Sequence, residues 1–522
     1  MKRKFLLSLA TLVLLLPMTV CRVATAATIT DIGNPTATVT KEWGTYKKYQ
    51  YTETDGKQTL FYGEYKPSAT SKYEFVIHDV RNSSGAVVAK TVANIAQDYQ
   101  EKTGRKVVMA TNGDFFSSVG SNVTAIESLV QDGEVIKLGT YTNKNSFGFN
   151  NDGKAVVGRV TDTKDVVQVS LDGVTYRLDI DKLNEIPEDG ELSLYTSAND
   201  LALNGYMKYK MKPNGTNTIL TARPLVGTAT VSVKADKALS LSTGQCALVA
   251  KADTKLATFL SKAMTYGAEV KILQAPDGKF EGMDYVVGGW DILVENGAIV
   301  PSTHSTASDP NGGGSNAPRT FFGMKADGTM FLGVLDGRQS GYSVGCTVAE
   351  EGKLAKALGA QVAIELDGGG SSTFMFDSGS GLTTLNKPSD GSLRAVCNAV
   401  LLVEKDAEDT GYATLDDYVV QTPTPNPPED SSSEDSSEMD SSVPDSSEVD
   451  SSIPDSSEVD SSLEDSSVCE PPCEMSAKDE VSSNEAEPTL MGCFGSVAGL
   501  GVTAAAILLC GLTLIKKEKG DK

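Results

Sequence analysis

Histidine is almost absent from this 522-residue chain, which holds two, His78 and His304. A histidine-rich metal site is thereby excluded, and a Ser-His-Asp triad has few places to start from. His78 lies in a strand-like run, where a ring is usually packed or ion-paired, and His304 lies in a Gly/Ser/Asn-rich loop at 302–318. Cysteine is sparse as well. Only Cys246, Cys346 and Cys397 fall between residues 28 and 405, with spacings that match neither a zinc site nor a disulfide framework. An odd count leaves at least one thiol unpaired; a Cys346–Cys397 bridge stays open, with nothing local to support it. No basic stripe is present, which removes the usual footprint of nucleic-acid binding. The Gly-Lys-Ser/Thr ending of a phosphate loop and the G-x-G-x-x-G dinucleotide spacing are both missing.

Charge of one sign dominates only locally. Residues 406–522 hold 27 acids and 5 lysines, whereas residues 1–405 hold 42 acids and 41 bases, so almost all of the net charge of -23 belongs to the tail. That tail repeats Ser, acid and Pro every ten residues from Asp440. Such composition buries too little apolar surface to offset ordering entropy, and like charges extend it, which predicts a disordered stalk over 406–489.

Long hydrophobic runs occur only at the two ends. Lys2-Arg3-Lys4, an apolar run from Phe5 to Val20 and the small residues Ala24-Thr25-Ala26 follow the order of a secretory signal peptide, 1–27. Residues 490–515 carry no charge over 26 positions and then meet "KKEKGDK". About 20 apolar residues cross a bilayer as a helix, and lysines after the run stay in the cytoplasm. The expected layout is a signal peptide, an extracellular folded part (a β-rich extension at 28–66 and a domain at 67–405), the stalk, one transmembrane helix and a cytoplasmic tail at 516–522. No Leu-Pro-x-Thr-Gly precedes the helix, which argues against sortase transfer to a cell wall.

Between residues 28 and 405, short Val/Ile/Tyr/Phe-rich runs alternate with Gly/Pro/Asn punctuation, the pattern of strands. Helical patterns interrupt them at about 88–102, 255–264 and 348–358. The last has a capping box, Thr347 with Glu350, and Gly359 just past its end. "TMFLGVLDGR" (329–338), that helix and "AQVAIELD" (360–367) form a strand–helix–strand unit; "KYEFVIHDV" (72–80), the first helix and "RKVVMAT" (105–111) form another. Such units make their two strands parallel, so both strand ends lie at one edge. The fold class expected is α+β: a mixed β-sheet core with a few packed helices. The loops Asn112-Gly113-Asp114, Asp336-Gly337-Arg338 and Asp367-Gly368-Gly369-Gly370 should converge on one cleft.

Carboxylate and guanidinium chemistry is what remains for a site. In "AIELD" alternate residues share a face, so Glu365 and Asp367 point the same way, roughly 7 Å apart at Cα. Paired carboxylates at such distances suit glycosyl transfer to water, although an Asp before Gly also serves simply to cap a turn. Arg319, Arg338 and Arg394 flank Gly-rich turns, and a guanidinium fork matches phosphate or carboxylate oxygens in bidentate fashion. The three glycines suggest either backbone N–H groups offered to an anion or room for a ligand to approach.

Six segments occur in an order that resembles the phosphodiester glycosidase domain family, that of N-acetylglucosamine-1-phosphodiester alpha-N-acetylglucosaminidase: "NGDFF" (112–116), "GGWDILVENG" (288–297), "PRTFFG" (318–323), "DGRQSGYSVG" (336–345), "LDGGGSS" (366–372) and "NKPSDGSLRAVCNAVLLV" (386–403). The resemblance spans about 70–405. It implies a hydrolase that cleaves the glycosidic C–O bond of a sugar-1-phosphodiester and leaves a phosphomonoester. By position it carries Asn112, Arg319, Asp336, Arg338, Asp367, Ser371 and Arg394 onto the family's recurrent polar positions. Asp114 replaces a second glycine of the commoner pattern, and Glu365 an asparagine.

Together these readings expect Asp367, Asp336 and Glu365 as catalytic carboxylates, with Asn112, Asp114, Arg319, Arg338, Gly369, Ser371 and Arg394 holding substrate or phosphate. No cofactor or metal is indicated, although a divalent cation on the phosphate stays open. The expected partners are a sugar phosphate or cell-envelope polysaccharide and, through the C-terminal helix, a membrane. The competing reading is a surface module that binds phosphodiester-containing polysaccharide without cleaving it, or an accessory factor in exopolysaccharide assembly.

Overall fold

The computed structural model describes residues 32–119, 122–196, 203–215, 219–220, 222–302, 314–406 and 411–420. The segments expected as signal peptide, stalk beyond residue 420, 490–515 span and cytoplasmic tail, and His304, lie outside the described residues. Among the described residues no helix is long and apolar enough to cross a membrane.

Three α-helices stand where periodicity and caps put them: α1 (Val92–Thr103), α2 (Lys255–Ala263) and α3 (Val348–Ala357). The Thr347–Glu350 capping box closes α3, and Gly104 in the left-handed region ends α1. α1 begins four residues later than expected. Val88 and Lys90 form β-bridges to Asn122 and Val396, and only then does Thr91 cap the helix by accepting from the Asn94 N–H. The rest is sheet, so the α+β class holds with strands in the majority.

An eight-stranded sheet runs in the order Ala37–Lys41, Gly44–Glu53, Gly56–Tyr65, Met330–Leu335, Arg319–Lys325, Ala360–Leu366, Ile292–Glu295 and Ala298–Ile299. The three strands before residue 67 therefore belong to the same sheet as the motif strands, with Leu60 opposite Leu335. A five-stranded sheet runs Leu382–Thr384, Phe374–Asp377, Val107–Asn112, Asn398–Glu404 and Tyr73–Asp79. In both, the strands flanking the helix are parallel but not neighbours. Arg319–Lys325 lies antiparallel between one pair and Asn398–Glu404 between the other. The crossover sets direction; adjacency is decided by a strand from elsewhere in the chain.

Side-chain alternation sorts the layers. Phe322, Leu332 and Ile364 face the shared core with Phe75, Met109, Phe374 and Leu402 of the second sheet, whereas Phe321, Phe331 and Ala363 face α3. Gly63 lets the sheets approach, since a Cβ there would lie 2.4 Å from the Met109 sulfur. α1 covers the outer face of the second sheet through Ile95, Ala96 and Tyr99. Residues 163–276 form a separate eight-stranded sheet with its own core around Phe259, Leu248 and Ile272. Residues 411–420 also reach this core. Tyr418 packs edge-on against Phe259 at 5.2 Å, so ordered packing continues past residue 406, where the stalk was expected to begin. Cys246, Cys346 and Cys397 are all free and buried, and the Cys346–Cys397 bridge does not form. His78 is ion-paired, its Nε2 2.7 Å from Asp98 Oδ2, with its ring edge-on to Tyr99.

Candidate active site

The parallel ends of the two strand–helix–strand units bring the motif loops together, and backbone bonds lock them. The Asn112 amide donates to the Asp367 carbonyl at 2.6 Å, and the Asp367 N–H donates to the Gly113 carbonyl at 3.1 Å. Asn112 Oδ1 accepts from the Thr320 hydroxyl and the Thr373 N–H, so this side chain is spent on holding strands. Pro318 and Arg319 begin the antiparallel strand between the other loops. The Gly369 N–H donates to the Pro318 carbonyl at 2.9 Å, and a Cβ on Gly337 would lie 2.5 Å from the Pro318 nitrogen.

Asp367 and Glu365 are both buried at this junction. Arg319 donates through Nη1 to Glu365 Oε1 at 3.0 Å, through Nε to the Cys346 carbonyl and through Nη2 to the Ser315 carbonyl. Its fork is fixed on three sides. Burial raises the Glu365 pKa to about 7 against the pull of Arg319, with Asp291 and Asp367 adding to the rise. Asp367 is raised to about 6 by burial, opposed by the Ser371 hydroxyl and Arg394. Behind them Glu351 of α3 is fully buried with neither carboxyl oxygen bonded, and burial followed by Glu365 holds it well above the carboxylate range.

Asp336 sits differently. Its Oδ2 accepts from the Tyr342 hydroxyl at 2.9 Å and the Lys387 N–H at 2.9 Å, and its Oδ1 from the Asn386 amide at 3.1 Å. Burial raises its pKa and these donors oppose the rise. The carboxylate ties the 336–345 and 386–394 loops, and the Gln339 amide adds a bond to the Lys387 carbonyl. Those loops expose two cations. Arg338, in left-handed backbone at φ +58°, makes no side-chain hydrogen bond or ion pair among the described residues; Lys387 lies over the Tyr342 ring at 5.2 Å.

The triple glycine serves the protein's own arginine. A Cβ on Gly370 would lie 2.1 Å from both Arg394 Nη2 and Asp390 Oδ2, which form an ion pair of 2.7 Å. Space expected for a ligand at Gly370 is thus already taken by Arg394, which also reaches the Ser371 hydroxyl at 3.5 Å. Gly369 is needed for its φ of +63°. Gly370→Ala is expected to displace the flexible ends of Arg394 and Asp390 and to pull Arg394 from Ser371, at a cost in stability under about 1 kcal/mol. A larger loss in urea denaturation would contradict this.

Asp114 lies one residue beyond Gly113. Its N–H donates to Asn398 Oδ1, its Oδ2 accepts from the Gly288 N–H at 3.1 Å and the Asn398 amide at 3.2 Å, and its Oδ1 accepts nothing. Burial raises its pKa to about 7. Around it stand residues that the motif reading passed over. Lys144 is buried with its ammonium 3.4 Å from the Trp290 ring centroid and 4.6 Å from that of Tyr141. Burial lowers its pKa to about 8, against Glu127, Asp114 and Glu365. Trp290, Asn386, Lys387 and Asn398 stood inside the quoted motifs and were within reach of the sequence; Glu127 and Lys144 sit in stretches with no motif or periodic signal. Among the described residues no His, Cys, Asp or Glu group is placed to hold a metal ion.

Residues 209–403 match the family model of the phosphodiester glycosidases, a stretch that contains five of the six motifs. No curated protein matches the chain. Among solved structures it is similar to a hypothetical protein from Synechocystis (15% identity, TM-score 0.42), covering 72% of this chain and 64% of that one. A putative exported protein from Burkholderia pseudomallei matches at 17% identity and TM-score 0.36, covering 66% of this chain and 74% of that one. The zebrafish N-acetylglucosamine-1-phosphodiester alpha-N-acetylglucosaminidase catalytic domain, auto-inhibited by its pro-peptide, matches at 13% identity and TM-score 0.36, covering 69% and 82%.

Proposed function

We propose that this protein is a cell-surface hydrolase that cleaves the glycosidic bond of sugar-1-phosphodiesters in cell-envelope or exopolysaccharide material, held to the membrane by residues 490–515. The observation that carries the reading is the division of charge at the loop junction. Asp367 and the Arg319-bound Glu365 lie at the strand end, and the unspent cations Arg338 and Lys387 lie on loops tied to it. The cations hold the phosphodiester and stabilise the charge that grows on the leaving phosphate. The C1–O bond breaks with its electron pair passing to the phosphate oxygen, giving a phosphomonoester. Asp367 steadies the oxocarbenium-like carbon and takes a proton from the water whose oxygen bonds to C1. Asp336, with three donors on its carboxylate, holds the cationic loops in place.

The test is incubation of the full chain with sugar-1-phosphodiesters and assay of free sugar. No turnover with retained polymer binding would replace this reading with the binding module. Because Asp367 acts ionised and its pKa is raised to about 6, kcat/KM is expected to fall about tenfold per pH unit below about 6. A profile flat down to pH ~5 would mean that Asp367 is not the titrating group.

A further inference from the structure

The polar groups packed around Gly288 take no part in the chemistry above, yet three of them have unspent bonding capacity. A Cβ on Gly288 would lie 2.0 Å from Asp114 Oδ1 and 2.6 Å from the Glu127 Cβ, so only glycine lets both acids pack against this strand. Asp114 Oδ1 and Glu127 Oε1 are buried and accept no hydrogen bond. Ser146 stands opposite Gly288 in the ladder, hence on the same face, and its buried Oγ has no partner either. Two residues earlier, Lys144 presents an ammonium that meets the Trp290 ring but makes no hydrogen bond among the described residues. Native interiors pair such groups, so three unpaired oxygens beside the Lys144 ammonium mark a place built to bond something.

The cluster adjoins Glu365 and Asp367. The Trp290 N–H donates to the Glu365 carbonyl at 3.2 Å, and Gly113, next to Asp114, holds the Asp367 N–H. Phe115 stands edge-on to Trp290 at 5.3 Å, supplying an apolar wall. The charge balance selects the ligand. Asp114, Glu127 and Glu365 all act on Lys144, and three carboxyls oppose a phosphate, which in any case brings no donor for the unpaired acid oxygens. A sugar hydroxyl is both donor and acceptor.

We infer that Asp114, Glu127, Ser146 and Lys144, walled by Trp290 and Phe115, form the subsite that takes the ring hydroxyls of the sugar, while Arg338 and Lys387 take the phosphate. This rests on the hydrolase reading for its substrate class. The acid oxygens accept from sugar hydroxyls and the Lys144 ammonium donates to a hydroxyl oxygen, while the Trp290 face stays packed on the lysine. A site made to bond a hydroxyl discriminates strongly against the analogue that lacks it, because its own buried groups are then left unpaired.

The test uses the full chain with the methyl phosphodiester of glucose-1-phosphate and its 2-, 3-, 4- and 6-deoxy analogues, on the wild type, Lys144→Met and Glu127→Gln. Binding of glucose-1-phosphate is followed in parallel by saturation-transfer NMR, and folding by circular dichroism. Lys144→Met keeps the aliphatic contact with Trp290, and Glu127→Gln is nearly isosteric, so one variant remains readable if the other misfolds. The wild type is expected to lose about 100-fold in kcat/KM on at least one deoxy analogue, and each variant to cut that ratio below about tenfold. Wild-type cleavage with parental rate and discrimination in both folded variants overturns the subsite and leaves the hydrolase standing. Binding without cleavage, lost in the variants, overturns the hydrolase and keeps the subsite. Neither binding nor cleavage overturns both.

Discussion

Asp367→Asn is expected to lower release of free sugar from a sugar-1-phosphodiester by about 10³-fold while the protein becomes more stable above pH ~6. The two halves have one cause. Asp367 is held in the fold by its backbone, through the Gly113 carbonyl and the Asn112 amide, and asparagine keeps both bonds. What asparagine removes is a charge that burial disfavours. The folded-state pKa of about 6 lies above the ordinary value of 3.8, so the folded protein binds more protons than the unfolded chain between those limits. Stability linked to this group is therefore full at low pH and is lost as pH rises through about 6. At pH 8 the variant should be the more stable by about 1–3 kcal/mol, an advantage that vanishes by pH ~4. Thermal melts of both proteins at pH 4, 6 and 8, beside the sugar-release assay, check the pair of effects. Near-parental turnover in a folded variant would remove Asp367 from the reaction.

Arg319→Met is expected to destabilise the fold by about 3–5 kcal/mol, the usual cost of breaking a buried ion pair from one side. The guanidinium is nearly solvent-free, as is its partner Glu365, and it also satisfies the Cys346 and Ser315 carbonyls. Without it, the buried Glu365 loses the cation that draws its pKa down, while Asp291 and Asp367 still raise it. Adding Glu365→Gln should return a substantial part of the loss, since it removes the cost of burying or protonating an acid left without its cation, whereas independent effects would add. Urea denaturation of the two single variants and the double variant measures this coupling. A single-variant loss under about 1 kcal/mol would show that the pair contributes little.

The contrast between the two Asp-Gly loops shows where the sequence stopped being legible. Asp336-Gly337-Arg338 and Asp367-Gly368-Gly369 look alike as strings, each an acid at a strand end before glycine. One carboxylate is bonded by Tyr342, Lys387 and Asn386, and the other faces the junction with Ser371 and Arg394. Asn386 and Lys387 are about fifty residues from Asp336, so no local pattern announces them. The same holds at Gly370, where the clash is with Arg394 and Asp390 rather than with a ligand. The sheet at 163–276 also escaped, because its strands have the same composition and punctuation as those of the motif sheets.

By itself the sequence determined what depends on near neighbours: the three helices through periodicity and caps, the strand–helix–strand units, and with them the common edge at which the motif loops emerge. Backbone geometry and capping act over a few residues, and the chain spells them out in order. Only the tertiary structure decided which strand enters between each parallel pair and which acid is saturated with donors. Only it set Lys144 on Trp290 beside Asp114 and Glu127. Those outcomes turn on desolvation and on partners brought from distant parts of the chain, and neither exists until the layers have packed.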